Sequence, residues 1–141
     1  MKKILVAVDI SRTGGNDAVI QTAKDLAGVM DGEVAMLYVI EPTPTYVMAE
    51  LPGDIVMKRR EQSEAQLAEL AKAHGIASAV VREGAAATEV LEYAEKIGAD
   101  LIVLHSHDPD LSNYFIGSVA SRVVRHAHCS VHIVRHAHEG R

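Results

Sequence analysis

Three uninterrupted apolar runs constrain this chain more than anything else in it: Ile4-Leu5-Val6-Ala7-Val8, Val34-Ala35-Met36-Leu37-Tyr38-Val39-Ile40 and Leu101-Ile102-Val103-Leu104. A strand with one wet face alternates apolar and polar residues, because successive side chains point to opposite faces. A run without alternation must be covered on both faces, as happens to strands of a parallel sheet packed between helices. The segments between the runs have the helical period. From Asn16 onward, Val19, Ala23, Leu26, Ala27 and Met30 form one stripe, and Asp31-Gly32 ends it. A second helix is predicted from Asp54 to about His74, with Leu67, Leu70 and Ala71 toward the sheet and Gln66, Lys72 and Arg59-Arg60 toward water. A third runs from about Ala86 to Ile97, with Val90, Leu91, Ala94 and Ile97 inward and Gly98 as its stop. The fourth covers Val119–Ala127.

Two weaker strands complete the pattern. Ala77–Glu83 carries polar intrusions and His132 interrupts Val131–Arg135, so both belong at sheet edges. The order is βαβαβαβαβ, which implies right-handed crossovers and a parallel sheet. Placing the three strongest strands centrally and the two weak ones at the edges gives an α/β, five-stranded, doubly wound sheet of order 3-2-1-4-5. Its topological switch point lies between the first and fourth strands, and ligands of such sheets bind there, outside the carboxyl ends. Those ends carry Asp9 and His105-Ser106.

The fourth strand leads through the polar stretch His105–Asp110 to a helix that opens on Gly117-Ser118. A helix N-terminus presents unpaired N–H groups and the positive end of a dipole, a combination suited to anions and to phosphate above all. From the local residues alone Ser118 reads first as a helix cap; the switch-point position turns the reading toward phosphate.

At 141 residues the chain suits a single domain spanning 1–141. A formal charge of −5, with no basic patch, argues against a nucleic-acid partner. Cys129 is the lone cysteine, which rules out an internal disulfide and a cysteine-based zinc motif and suits a reducing, cytoplasmic setting. The run Ile4–Val8 is too short for a signal h-region, and no stretch approaches the roughly 18 apolar residues of a membrane span. Catalysis has little support: there is no Walker A lysine motif, no nucleophile elbow and no Cys-His pair at a familiar spacing. The histidines do not converge either, since His126 and His128 stand two apart on a helix. Protonating all 8 would carry the formal charge from −5 to +3, so an edge strand bearing His132 is expected to associate less well in acid.

Three stretches resemble the universal stress protein family: Lys3–Asp9, Leu37–Pro42, and Gly117-Ser118-Val119 through Val124-Arg125-His126-Ala127-His128-Cys129-Ser130-Val131. The resemblance spans essentially the whole chain and is closest to the small F- and G-type members. It implies the adenine nucleotide alpha-hydrolase-like (Rossmann-like) fold, a homodimer joined through the last strand at Val131–Arg135, and bound ATP, with or without Mg²⁺. By position, Asp9 would lie near the ribose and any metal, with Ala7 and Val8 beside it. The backbone of Val39 would meet the adenine, and Gly117, Ser118 and Val119 would hold the phosphates, with Ser106 and His107 on the approaching loop.

The sequence departs from that pattern in one place. ATP-binding members show Gly-x-x-Gly ahead of Gly-Ser or Gly-Thr; here His105 and Asp108 occupy the two glycine positions, and the gap to Gly117 is one residue shorter. Glycine lets backbone approach phosphate closely. Asp108 would add a like-charge cost of roughly 1 kcal/mol at about 4 Å in water, and about 4 at an effective dielectric near 20, unless Mg²⁺ bridges it with Asp9. His107 would offset part of this by donating to a phosphate. Three readings follow: a protein that binds ATP as a regulatory ligand, an interaction module of the same fold without nucleotide, or a weak ATPase.

Overall fold

The computed structural model describes residues 1–11, 15–42, 53–106 and 117–135. Among them are five strands and four helices: β1 (Lys2–Ala7), α1 (Asn16–Met30), β2 (Gly32–Ile40), α2 (Gly53–Ala73), β3 (Ser78–Glu83), α3 (Ala86–Ile97), β4 (Leu101–His105), α4 (Ser118–His126) and β5 (Ser130–Val134). The strands form one parallel sheet of order β3-β2-β1-β4-β5. The three continuous apolar runs are the inner strands and the two interrupted ones are the edges, because only inner strands are covered on both faces by helices.

Each face has its own core. On one side Ile4 and Val6 of the first strand, with Val8 just beyond it, pack with Val19, Ile20 and Ala23 of α1 and Leu67 and Ala71 of α2. On the other, Leu5, Ile102 and Leu104 pack with Val90, Tyr93 and Ala94 of α3 and Ala120 and Val123 of α4. The period-2 alternation of strand side chains sorts Ile4, Val6 and Val8 from Leu5. Most of the expected stripes are buried as predicted. Leu26, Met30, Leu70, Leu91 and Ile97 are only partly covered, whereas Ile20 and Tyr93 lie inside although no stripe included them.

Several boundaries differ from the sequence reading. The first two strands begin two residues earlier than their apolar runs, at Lys2 and Gly32, because they pair Lys2↔Gly32 and Lys3↔Glu33 before either becomes buried. Gly32 therefore belongs to a strand. Asp31 takes the left-handed position that ends α1, at φ 54°. Gly32 serves close approach instead: a Cβ there would lie 2.9 Å from the Lys2 carbonyl oxygen. Val8 falls outside β1 yet still donates its N–H to the Leu37 carbonyl at 2.9 Å. The last helix and strand each begin and end one residue earlier than expected, at Ser118–His126 and Ser130–Val134. Arg60 also departs from expectation. Instead of facing water it is half-buried and donates from Nη2 to the Val81 carbonyl at 3.0 Å.

One feature of the sheet positions the site. At their amino ends β1 and β4 are stapled by Asp100, whose N–H donates to the Lys3 carbonyl (2.7 Å) and whose Oδ2 accepts from the Lys3 N–H (2.9 Å). Their register ends at Val6↔Val103. Beyond it β1 continues with β2 at Ala7↔Leu37, and β4 continues with β5 at Leu104↔Ile133 and His105↔Val134. Pairing between the two central strands thus stops short of their carboxyl ends at the switch point, where open α/β sheets have their ligand crevice.

Candidate functional site

The crevice has two walls. The first descends from β1 and β2. Ala7 and Val39 are half-buried and pack against the core on the α3–α4 side, while Val8 is buried on the opposite side and offers only its backbone. Asp9 follows, exposed, with its carboxylate oriented by its own loop. Its Oδ1 accepts from the Ser11 N–H at 3.1 Å and from the Ser11 hydroxyl in a short hydrogen bond. Among the described residues its Oδ2 has no partner. The Asp9 backbone is clasped by Asn16, the first residue of α1. The Asp9 N–H donates to Asn16 Oδ1 at 3.1 Å, and Asn16 Nδ2 donates to the Asp9 carbonyl at 2.9 Å. One carboxamide thus satisfies both backbone groups of a residue just past the end of the strand, the accounting that exposed turns need when ladder partners run out.

Tyr38 completes this wall. Burial pushes its phenol above the ordinary value of 10.0; the Asp9 charge raises it further, a hydrogen bond with the Ser11 side chain lowers it, and Glu41 raises it again. The phenol thus stays protonated beside a carboxylate.

The second wall is β4 and α4. Ser106, the only buried polar residue among those described, donates its N–H to the Val134 carbonyl at 2.9 Å and accepts from the Gly117 N–H at 2.7 Å. That last bond brings the chain back to β4 and seats the start of α4 on the crevice. Gly117 is buried and is the N-cap, in an extended conformation with φ −59° and ψ 159°. Among the described residues no side chain caps this helix, so the reading of Ser118 as a cap is corrected: Ser118 is the first helical residue and is exposed. Val119 is half-buried and joins the same apolar cluster as Ala7 and Val39. The walls meet where His105 Nε2 lies 3.2 Å from the Gly15 carbonyl oxygen, just ahead of α1.

Of the residues singled out from the sequence, Ala7, Val39 and Val119 therefore share one apolar cluster, Ser106 and Gly117 are hydrogen-bonded, and Asp9 lies on the opposing lip. His107 and Asp108 lie outside the described residues, as do most of the stretch Glu41–Gly53 and the tail His136–Arg141. Asn16, Ser11 and Tyr38 had no periodic signal to single them out; an Asn at the start of a helix after a strand-ending Asp was the available hint. For Mg²⁺, Asp9 is the candidate carboxylate among the described residues, and among these no three histidine, cysteine or acidic side chains converge. A cation there would need ligands from a bound phosphate as well. The arrangement suits a ligand with an anionic end, an apolar body and a hydroxyl to donate: helix amides with no side-chain cap among the described residues, a half-buried apolar patch, and a carboxylate that accepts.

The chain matches the profile of the universal stress protein family over residues 1–135. A universal stress protein of Methanocaldococcus jannaschii is 31% identical over 144 residues, covering 95% of this chain and 82% of its own. Universal stress protein G of Escherichia coli O157:H7 is 29% identical over 143 residues, covering 95% and 99%. Among solved structures, the protein MJ0577, solved as a test case of structural genomics, superposes with a TM-score of 0.80 at 23% identity over 98% of both chains. A universal stress protein in complex with cAMP superposes at 0.64, with 21% identity over 94% of this chain and 96% of that one.

Proposed function

Because the chain belongs to the universal stress protein family, with its adenine nucleotide alpha-hydrolase-like fold, we propose that it binds ATP as a regulatory ligand in the crevice between β1 and β4. The observation that carries this reading is the start of α4: an uncapped helix N-terminus tied to Ser106 by the Gly117 N–H, at the sheet's switch point. In this reading the phosphates lie on Gly117, Ser118 and Val119, and the adenine lies against Ala7, Val39 and the Val8 backbone. Asp9 takes the ribose or, with a bound phosphate, Mg²⁺. Ser106 and His107 border the phosphates. The cAMP complex of a structural neighbour supports an adenine nucleotide as the ligand class. In this reading the nucleotide is a ligand, with at most slow hydrolysis. We also propose a cytoplasmic homodimer joined along Val131–Arg135, on the strength of the family resemblance. No helix among the described residues is long and apolar enough to cross a membrane.

One observation favours the module without nucleotide. His105 occupies the position of a loop glycine, and its ring is engaged with Gly15 across the crevice. A thermal melt separates the two readings. A ligand at 100 times its dissociation constant adds about 2.7 kcal/mol, so millimolar Mg-ATP should raise the melting temperature by several degrees, with cAMP and AMP as comparison ligands. Adenine nucleotide released on heat-denaturing the purified protein would corroborate it. Asp9→Ala should reduce the shift and Asp108→Gly should enlarge it. No shift with any of the three nucleotides, and none released, would refute nucleotide binding.

A further inference from the structure

The sheet has two edges, and a row of unpaired edge N–H and C=O groups invites a second copy of the chain to add a strand. The β3 edge differs from an open one. Its inward groups are used on β2, ending with the Gly84 N–H, which donates to the Ile40 carbonyl at 3.0 Å. Peptide groups alternate in direction along a strand, so the carbonyls of Glu83 and Val81 point the other way, out of the sheet. The Val81 carbonyl is the group that Arg60 takes, reaching from α2 with Nη2 at 3.0 Å. The guanidinium is held over the edge by carboxylates on both sides, Glu64 of its own helix at 3.6 Å and Glu83 of β3 at 3.4 Å. Both acids are about half exposed, and such pairs contribute little to stability. Their consequence is positional: they keep a charged, planar fork in the space an incoming strand would need.

We propose that Arg60 closes the β3 edge to a second copy of this chain, so that strand addition is confined to the opposite edge of the sheet. The inference is independent of the nucleotide reading and does not require that β5 be in use. It specifies where association must not occur and which residue prevents it.

Sedimentation velocity of the full chain across roughly 5–200 µM tests it. Arg60→Ala should show at least a doubling of mass over the wild type at the highest concentration. Adding Ala79→Pro should restore the wild-type mass, because the N–H of residue 79 points outward by the same alternation and proline cannot donate. Far-UV circular dichroism establishes that each variant is folded. If Arg60→Ala does not fold, Arg60→Gln, which keeps part of the stem but cannot span to the carbonyl with a charged fork, takes its place with the same expected gain. A folded variant at position 60 with the wild-type mass at every concentration overturns the proposal. So does an added association that Ala79→Pro leaves intact, since another surface would then be responsible.

Discussion

Replacing Asn16 with alanine removes both side-chain bonds to the Asp9 backbone, at 3.1 and 2.9 Å, and nothing else that the described residues bond to. A net intramolecular hydrogen bond contributes about 0.5–1.5 kcal/mol. The site is solvent-exposed, so water can re-solvate the freed groups and the lower half of that range applies. Two bonds then give about 1–2 kcal/mol. Alanine is a better helix former than asparagine by a few tenths of a kcal/mol. That gain is reduced at the first helical position, so the expected net loss is about 1 kcal/mol or somewhat more. With an unfolding entropy near 2.1 cal/mol/K per residue, a chain of 141 residues should melt about 3–5 °C lower.

The more discriminating readout is local. In the wild type the Asp9 N–H is held by Asn16 Oδ1; in Asn16→Ala its exchange with solvent should accelerate, while the Val8 N–H, bonded to Leu37, stays protected. If Asp9 contacts the nucleotide, the affinity for Mg-ATP should fall with it, because a looser turn must be ordered on binding. An unchanged melting temperature together with unchanged exchange at Asp9 would refute the idea that Asn16 fixes the lip of the crevice.

Two further outcomes follow from the packing and the electrostatics. Gly32→Ala should destabilise by about 1–3 kcal/mol, because its Cβ would meet the Lys2 carbonyl at 2.9 Å and the Lys2 Cβ at 3.3 Å. Gly28→Ala, in α1 with open space around the new methyl, should stabilise by roughly 0.5–1 kcal/mol; equal effects in urea denaturation would contradict both assignments. The Tyr38 phenol is raised above 10.0 in the folded state, first by burial and then by Asp9. Between the unfolded and folded values the native chain keeps a proton that the unfolded chain releases, so stability is fully present below pH 10 and falls as pH rises beyond it. Tyr38→Phe should flatten that part of the stability profile between pH 9 and 11, and an unchanged slope would count against it.

Much of the fold was legible because hydrophobic burial leaves a periodic trace. The unbroken runs at Ile4, Val34 and Leu101 announce strands covered twice, and the intrusions at Ser78 and His132 announce edges. Strand order follows from that contrast, and the switch point follows from strand order. Tyr93 shows where the trace fails. It is buried on α3 although its hydroxyl makes it an ambiguous member of any apolar stripe, and the Arg82 guanidinium sits 5.6 Å from its ring centroid. Arg82 is itself held by Glu89 at 2.7 Å, a corner assembled from two elements, β3 and α3, by contacts that follow no apolar period.

The details of the site were less legible for the same physical reason. Asn16, Ser11 and Arg60 act through bonds to individual backbone groups or single carboxylate oxygens, and such bonds have no period. They form where a strand runs out of ladder partners: Asp9 past the end of β1, and Val81 on the open side of β3. Each unsatisfied group must be met by a side chain or by water, and which side chain meets it depends on chain geometry to within an ångström. This also explains why Ser118 was open to two readings. A serine beside a glycine at a helix start fits both a cap and an anion contact, and only the position of Gly117, held by the Ser106 carbonyl, separates them. Gly117 becomes the cap residue and contributes no side chain. Among the described residues the first turn of α4 therefore has no side-chain cap, the arrangement in which an external anion has most to gain.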